Sequence, residues 1–172
     1  MKILLLSSLI AFSWCSFAAD NYNIYLVRHA EKLVDSKNPS LTICGQERAE
    51  QLASLLVKAD ISAIYSTSYQ RTMQTAKPLA KRQNVAVKNY SPRYLEQFAL
   101  QLRRNKENAL IIGHSNTTPI LVELLTKKKV APLTEQDYQY LYQVQLNKEQ
   151  ATLTILQQPL NCKASQKDNK SG

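Results

Sequence analysis

The sequence predicts one α/β domain, a three-layer sandwich in which helices cover both faces of a mostly parallel central sheet and a C-terminal hairpin follows. Short apolar runs alternate with amphipathic segments along the chain, which is the pattern of strand–helix–strand units. Two stretches of alternating apolar and polar residues, joined by "NKEQ", are typical of a hairpin. The length of 172 residues corresponds to one domain.

The first predicted elements are a strand, a loop and a helix. The continuous apolar run over residues 24–27 indicates a strand that is buried on both faces. Residues 35–42 include the turn residues Pro39 and Ser40 and indicate a loop. From Gly45 onward apolar residues recur at three- and four-residue steps, which predicts a helix.

The later elements continue the alternation. Residues 61–65 predict a second strand, and Ser66 or Ser68 is the candidate N-cap of a helix over about residues 69–81. The remaining predictions are strands over 85–87 and 109–112, the latter ended by Gly113, helices over 94–103 and 117–125, and the hairpin strands 138–146 and 151–156.

Residues 1–19 predict a secretory signal peptide rather than a part of the fold. An N-terminal lysine precedes an apolar stretch that is too short to span a bilayer, and small residues follow, with cleavage after Ala18 or Ala19. Cys15 leaves a lipoprotein as an alternative, which the tryptophan before it disfavours. We therefore expect a secreted or periplasmic protein without a membrane span.

The exported chain would consist of a folded domain over residues 20–160 and a flexible tail over 161–172. It retains Cys44 and Cys162, and an even number of cysteines in an oxidising compartment fits one disulfide. The alternative is two separate thiols.

The charge indicates the chemistry of the partner. The formal net charge is +9, and loss of Lys2 with the signal leaves +8. A basic exported protein suits an anionic substrate. The basic residues are scattered and have no interleaved aromatic residues, so we expect no nucleic-acid partner. The sequence leaves the oligomeric state open.

Three predicted strand ends carry side chains that suit an anion. Ligands bind beyond the carboxyl ends of strands in such sheets. The strand over 24–27 is followed by Arg28 and His29, the second strand leads to Arg71, and the strand over 109–112 leads to "GHSNTTP" with His114. Arginine binds phosphate oxygens through two donors, and a neutral imidazole can attack phosphorus.

Each of these features has a plainer explanation by itself. A histidine at a strand end is often structural, and an arginine on a helix such as Arg71 usually faces solvent. The segment "GHSNT" is also compatible with a helix N-cap turn. Their joint occurrence at one edge of the sheet favours a phosphoryl site.

Four segments resemble, in order along the chain, the motifs of the histidine phosphatase superfamily, also called phosphoglycerate-mutase-like. They are "LVRHAEK", "LTICGQERA", "STSYQRTMQTA" and "ALIIGHSNTTP". The resemblance covers most of residues 23–125 and indicates a small exported bacterial-type member. It implies a phosphomonoester hydrolase without cofactor or metal. His29 would be the nucleophile that becomes phosphohistidine, and Arg28, Arg71 and His114 would hold the phosphoryl group. Ser115 and Asn116 would contribute to substrate binding.

The general acid of the family has no clear counterpart. Relatives protonate the leaving group with a carboxyl group, but Ser115 follows His114 here. The candidates are Glu31, Asp35 and Glu96, among which the sequence does not choose. A weak general acid would favour substrates with good leaving groups.

Two other functions compete with this hypothesis. "GHS" could be the nucleophile elbow of a serine hydrolase with Ser115 as nucleophile, although the second glycine of that motif is absent. The domain could also be a non-catalytic binder of phosphorylated ligands, an alternative that the retained His29 disfavours.

Overall fold

The computed structural model describes residues 21–147 and 150–159, and it confirms the predicted α/β fold. Within these residues one six-stranded sheet is flanked by four helices. The strands are β1 (Tyr22–Arg28), β2 (Ala63–Ser66), β3 (Val87–Asn89), β4 (Ala109–Gly113), β5 (Tyr140–Leu146) and β6 (Ala151–Gln157). The helices are α1 (Ile43–Leu56), α2 (Gln70–Gln83), α3 (Leu95–Asn105) and α4 (Thr117–Thr126).

The sheet order β3-β2-β4-β1-β5-β6 brings three strand ends to one edge. Strands β3, β2, β4 and β1 are parallel neighbours, whereas β5 is antiparallel to β1 and forms the predicted hairpin with β6. Arg28 at the end of β1 is paired in register with Gly113 at the end of β4. His29 and His114 therefore leave the sheet at the same level.

The two faces of β1 pack into different parts of the core. Ile24 and Leu26 lie in an apolar cluster with side chains of α3 and α4, and Tyr25 and Val27 lie in a second cluster with α1 and α2. Because both faces are covered, this strand needs apolar residues at consecutive positions. That requirement explains the uninterrupted run in the sequence.

The start of α2 differs from the prediction. Neither Ser66 nor Ser68 caps the helix: the N-cap residue is Tyr69, which makes no side-chain capping hydrogen bond. Ser66 is the last residue of β2, and its hydroxyl donates to the carbonyl oxygen of Thr67 at 2.8 Å. Its hydroxyl is thus used within the turn after the strand.

The third strand lies two residues later than predicted, at Val87–Asn89. Asn84 ends α2 in a left-handed conformation, and the N–H of Val85 donates to the carbonyl oxygen of Ala80 at 3.0 Å. Val85 is therefore part of the helix ending, and pairing with β2 begins only at Val87.

The predicted signal peptide, the C-terminal tail and Cys162 lie outside the described residues. Cys44 is buried in the first turn of α1. Its disulfide with Cys162, the domain limits and the export of the protein stay predictions. In the described part of the chain, no helix has the length and apolar character needed to cross a membrane.

Candidate active site

A cleft of about 640 Å³ lies at the carboxyl ends of β1, β2 and β4. All the predicted catalytic and substrate-binding residues line it together. Its lining consists of Arg28, His29, Lys32, Tyr69, Arg71, Pro92, Arg93, His114, Ser115, Asn116, Thr117 and Glu135. The convergence expected from the three strand ends is therefore present in the structure.

His29 is held in one orientation by the backbone around it. Its N–H donates to the carbonyl oxygen of Gly113 at 3.0 Å, and its Nδ1 lies 2.8 Å from the carbonyl oxygen of Ala30. A carbonyl oxygen only accepts hydrogen bonds, so Nδ1 carries the proton. The lone pair of the neutral ring is then on Nε2, where a nucleophile needs it.

The surroundings of His29 keep the ring neutral. Burial lowers its pKa to about 3, and the charges of Arg28, Arg71 and a protonated His114 act in the same direction, against the opposing hydrogen bond to Ala30. His29 is 3% exposed. At neutral pH the imidazole is therefore unprotonated on Nε2 and available to attack an electrophile.

The loop behind His29 is fixed to α1. Arg48 binds both carboxylate oxygens of Glu31, with its Nη2 at 2.6 Å from Oε1 and its Nε at 2.9 Å from Oε2. A Cβ atom at Gly45 would lie 2.1 Å from the carbonyl oxygen of Glu31, so only glycine allows this approach. Thr42 caps α1 by accepting from the Gly45 N–H at 3.0 Å.

Arg28 is buried at the inner wall of the cleft, where it is 3% exposed. Its Nη1 donates to the carbonyl oxygen of Thr134 at 2.7 Å and its Nη2 to Oε2 of Glu135 at 2.8 Å. The guanidinium lies over the ring of Tyr138, 4.2 Å from its centroid. Its Nε is buried and has no hydrogen-bond partner within the described residues.

Arg71 presents a second guanidinium from the first turn of α2. It lies over the ring of Tyr69, 4.4 Å from the centroid, and its Nε is likewise buried without a partner in the described part of the chain. Buried N–H donors are nearly always paired in folded proteins. Both guanidinium groups of the cleft therefore have a donor that an anionic ligand can take.

His114 faces His29 across the cleft, with ring centroids 5.6 Å apart in an edge arrangement. Its Nε2 lies 3.0 Å from Oγ1 of Thr67, which fixes one edge of the ring. Burial, followed by the charges of Arg71 and Arg28, lowers its pKa to about 4. Without a ligand this ring is also neutral at pH 7.

The three sequence candidates for a general acid lie elsewhere. Glu31 is bound to Arg48, and Asp35 and Glu96 are exposed; none of the three lines the cleft. The carboxylate that does line it is Glu135, whose Oε1 accepts from the Ser115 hydroxyl at 2.9 Å.

Sequence reasoning missed Glu135 and Tyr138, which lie in the segment between α4 and β5. The one local signal there is a turn, in which Oδ2 of Asp137 accepts from the N–H and the hydroxyl of Thr134 at 2.7 and 2.6 Å. Such a turn predicts the shape of the segment but not its position beside Arg28.

The described residues contain no group of three or more His, Cys, Asp or Glu side chains that could hold a metal ion. Metal independence stays a prediction.

Comparison with known proteins finds a family model that matches part of the chain and solved structures that share its fold. Residues 24–96 match the histidine phosphatase superfamily (branch 1). The protein histidine phosphatase SixA, solved in complex with tungstate, is similar over 78% of this chain and 96% of its own, at 16% identity and a TM-score of 0.66. The α-ribazole phosphatase from Shigella flexneri covers the same shares at 16% identity and 0.64.

A mycobacterial glucosyl-3-phosphoglycerate phosphatase is similar over 82% of this chain and all of its own length, at 10% identity and a TM-score of 0.62. At these identities the likeness shows the fold. The family match covers residues 24–96, and the structural likeness extends the shared fold over most of the chain.

Proposed function

We propose that this protein is an exported, metal-independent phosphomonoester hydrolase that acts through a phosphohistidine on His29. The observation that carries the proposal is the neutral His29 ring, protonated on Nδ1, in a cleft with two guanidinium groups that each have a buried donor without a partner among the described residues. Binding alone would not require a nucleophile in that tautomer.

In the first step Nε2 of His29 attacks phosphorus, and the bond to the leaving oxygen breaks. Arg28 and Arg71 bind the phosphoryl oxygens in place of a metal ion. The Nδ1–H of His29 continues to donate to the Ala30 carbonyl oxygen. This hydrogen bond stabilises the positive charge that develops on the ring.

In the second step water attacks phosphorus, the P–N bond breaks, and its electron pair returns to His29. His114 supports both steps, because a bound phosphoryl dianion favours protonation of its ring and a cation there stabilises the equatorial oxygens. Ser115 and Asn116 lie at the mouth of the cleft and would contact the substrate.

The contacts of Ser115 do not favour the serine hydrolase alternative. The Ser115 hydroxyl donates to Glu135, and His114 Nε2 contacts Thr67. The two groups that such an enzyme would pair as nucleophile and base are thus bound to different partners.

Turnover of p-nitrophenyl phosphate in the presence of EDTA tests the proposal. We expect activity in the wild type and its loss in His29→Asn, because asparagine can still donate to Ala30 but cannot form phosphohistidine. Acid-labile, alkali-stable label from a phosphorylated substrate should map to His29.

Arg82→Gln provides a matched control, since Arg82 is a surface arginine bound to Glu50 at 2.6 Å. It should keep wild-type activity. Binding of tungstate without turnover of any phosphate ester would instead favour the non-catalytic binder, and label on Ser115 would contradict the mechanism.

A further inference from the structure

We propose that Glu135 is the proton donor to the leaving group, and that it becomes available for this role when the phosphoryl group displaces it from Arg28 and Ser115. The proposal rests on the function proposed above and names the residue that completes it. It assigns this role to the segment between α4 and β5, residues 127–139.

Glu135 lies where a leaving group would depart from the cleft. Among the described residues that line the cleft, Glu135 has the only carboxyl group. Its side chain is 73% exposed, whereas that of Arg28, its partner, is 2% exposed. The carboxylate thus lies at the open side of the phosphoryl pocket, where the alcohol of a substrate would leave.

Glu135 also occupies hydrogen-bond donors that a phosphoryl group needs. Its two oxygens accept from Nη2 of Arg28 at 2.8 Å and from the Ser115 hydroxyl at 2.9 Å. A tetrahedral dianion between Arg28 and Arg71 would compete for both donors. The displaced carboxyl would then lie beside the bound phosphoryl group and its leaving oxygen.

The same exchange changes the protonation of Glu135. Without a ligand, the hydrogen bond from Ser115 and the charge of Arg28 hold the pKa of its carboxyl below the usual range. When a dianion takes these two contacts, the hydrogen bond from Ser115 is lost and the charge of Arg28 is offset by the new negative neighbour, which favours the protonated form. Binding of the substrate therefore shifts this carboxyl toward its protonated form.

The protons balance over the two steps. As His29 Nε2 bonds to phosphorus and the P–O bond breaks, the leaving oxygen takes the proton of Glu135 and departs as an alcohol. Glu135 is then a carboxylate. It takes a proton from the water that attacks phosphorus, and the P–N bond breaks to release phosphate and restore both residues.

The segment that carries Glu135 is attached to the nucleophile's surroundings. The Thr134 carbonyl oxygen accepts from Arg28, and the Tyr138 ring lies under the same guanidinium and 6.1 Å from the His29 ring. These two contacts do not involve the Glu135 carboxylate. They can hold the segment in place while the Glu135 side chain changes partner.

The experiment compares substrates whose leaving groups differ in basicity. The kcat/KM value covers the steps up to departure of the leaving group, so it isolates proton donation from the later hydrolysis. We expect Glu135→Gln to lower kcat/KM for an alkyl phosphate at least tenfold more than for p-nitrophenyl phosphate, whose leaving group needs little protonation.

Orthovanadate inhibition of the same variant separates this role from simple positioning of Arg28. Vanadate has no leaving group, so Glu135→Gln should bind it as tightly as the wild type or more tightly. Glu50→Gln, which loses an arginine partner on the surface, is the matched control and should change neither measurement.

An equal loss for both substrates, together with weaker vanadate binding, would overturn the proposal and make Glu135 a positioning residue for Arg28. That result would leave the phosphatase function intact. Failure of the wild type to form phosphohistidine on His29 would instead contradict the proposed function itself.

Discussion

Two arginine–glutamate pairs lie at the same edge of the sheet and differ in almost every respect. Arg48 binds both oxygens of Glu31, and the two side chains are 9% and 20% exposed. Arg28 donates to Glu135 through one nitrogen only, Nη2, and the Glu135 side chain is 73% exposed. The first pair joins two elements of the fold, and the second lies across the opening of a cleft.

One of these ion pairs joins parts of the fold, and the other covers a site that a ligand can enter. The Arg48–Glu31 pair fixes the loop after His29 to α1, where Gly45 also contacts that loop. Each arginine keeps one buried nitrogen without a hydrogen-bond partner among the described residues, Nε in Arg28 and Nη1 in Arg48, but only the Arg28–Glu135 pair has one partner largely in water. A ligand anion can replace that partner at little cost, because the released carboxylate is already hydrated.

The largest difference should appear when each arginine is replaced by lysine. We expect Arg28→Lys to lower kcat/KM about a thousandfold, since lysine lacks the planar set of donors. Arg48→Lys should lower kcat/KM less than tenfold and reduce mainly the melting temperature. Steady-state kinetics and thermal unfolding of both variants test this, and equal losses of activity would mean that both pairs serve the site.

The predicted disulfide would add a covalent link at α1, the helix that carries Arg48 of the structural pair. Cys44 lies in the first turn of α1, next to Gly45, and Cys162 lies outside the described residues. A bridge across more than one hundred residues would stabilise the fold by up to about 4–5 kcal/mol, and by less where the native geometry is strained. Mass spectrometry of the mature protein, alkylated without reductant, tests it; two alkylated cysteines would exclude the bridge.

Removal of one carboxylate from the structural pair should have a moderate effect. Glu31→Gln leaves the mostly buried Arg48 without a charged partner, and we expect the free energy of unfolding to fall by about 2 kcal/mol. Glu50→Gln breaks an exposed pair and should cost less than about 0.5 kcal/mol. Urea titration of both variants makes the comparison, and a similar small loss for each would show that the Glu31 pair is not structural.

The smallest effect concerns the two histidines of the cleft. Their folded pKa values, about 3 and about 4, lie below the ordinary value of 6.5, so the unfolded chain binds more protons below pH 6.5. Stability should therefore fall as the pH decreases from 7 to 5.5, by about 1 kcal/mol for His29 and by less for the more exposed His114. Urea midpoints at the two pH values measure this loss, and His29→Asn should remove the larger share of it.

The sequence by itself determined the fold and most of the proposed site, for reasons that are local in the chain. The both-sided burial of β1 appears as a continuous apolar run, and the parallel order brings its end beside that of β4. His29, Arg71 and His114 follow strand ends within recognisable motifs. The sequence predicted their convergence from the shared edge of a parallel sheet, whereas the order that makes β1 and β4 neighbours came from the structure.

Only the tertiary structure decided which carboxylate belongs to the cleft. Glu31 is close to His29 in the chain, yet Arg48 binds it on α1. Glu135 is 107 residues from Arg28 and contacts it because α4 and the following segment return to the edge of β1. No period or motif encodes that return: it depends on the packing of α4 against the sheet and on the Thr134 carbonyl oxygen, which accepts a hydrogen bond from Arg28.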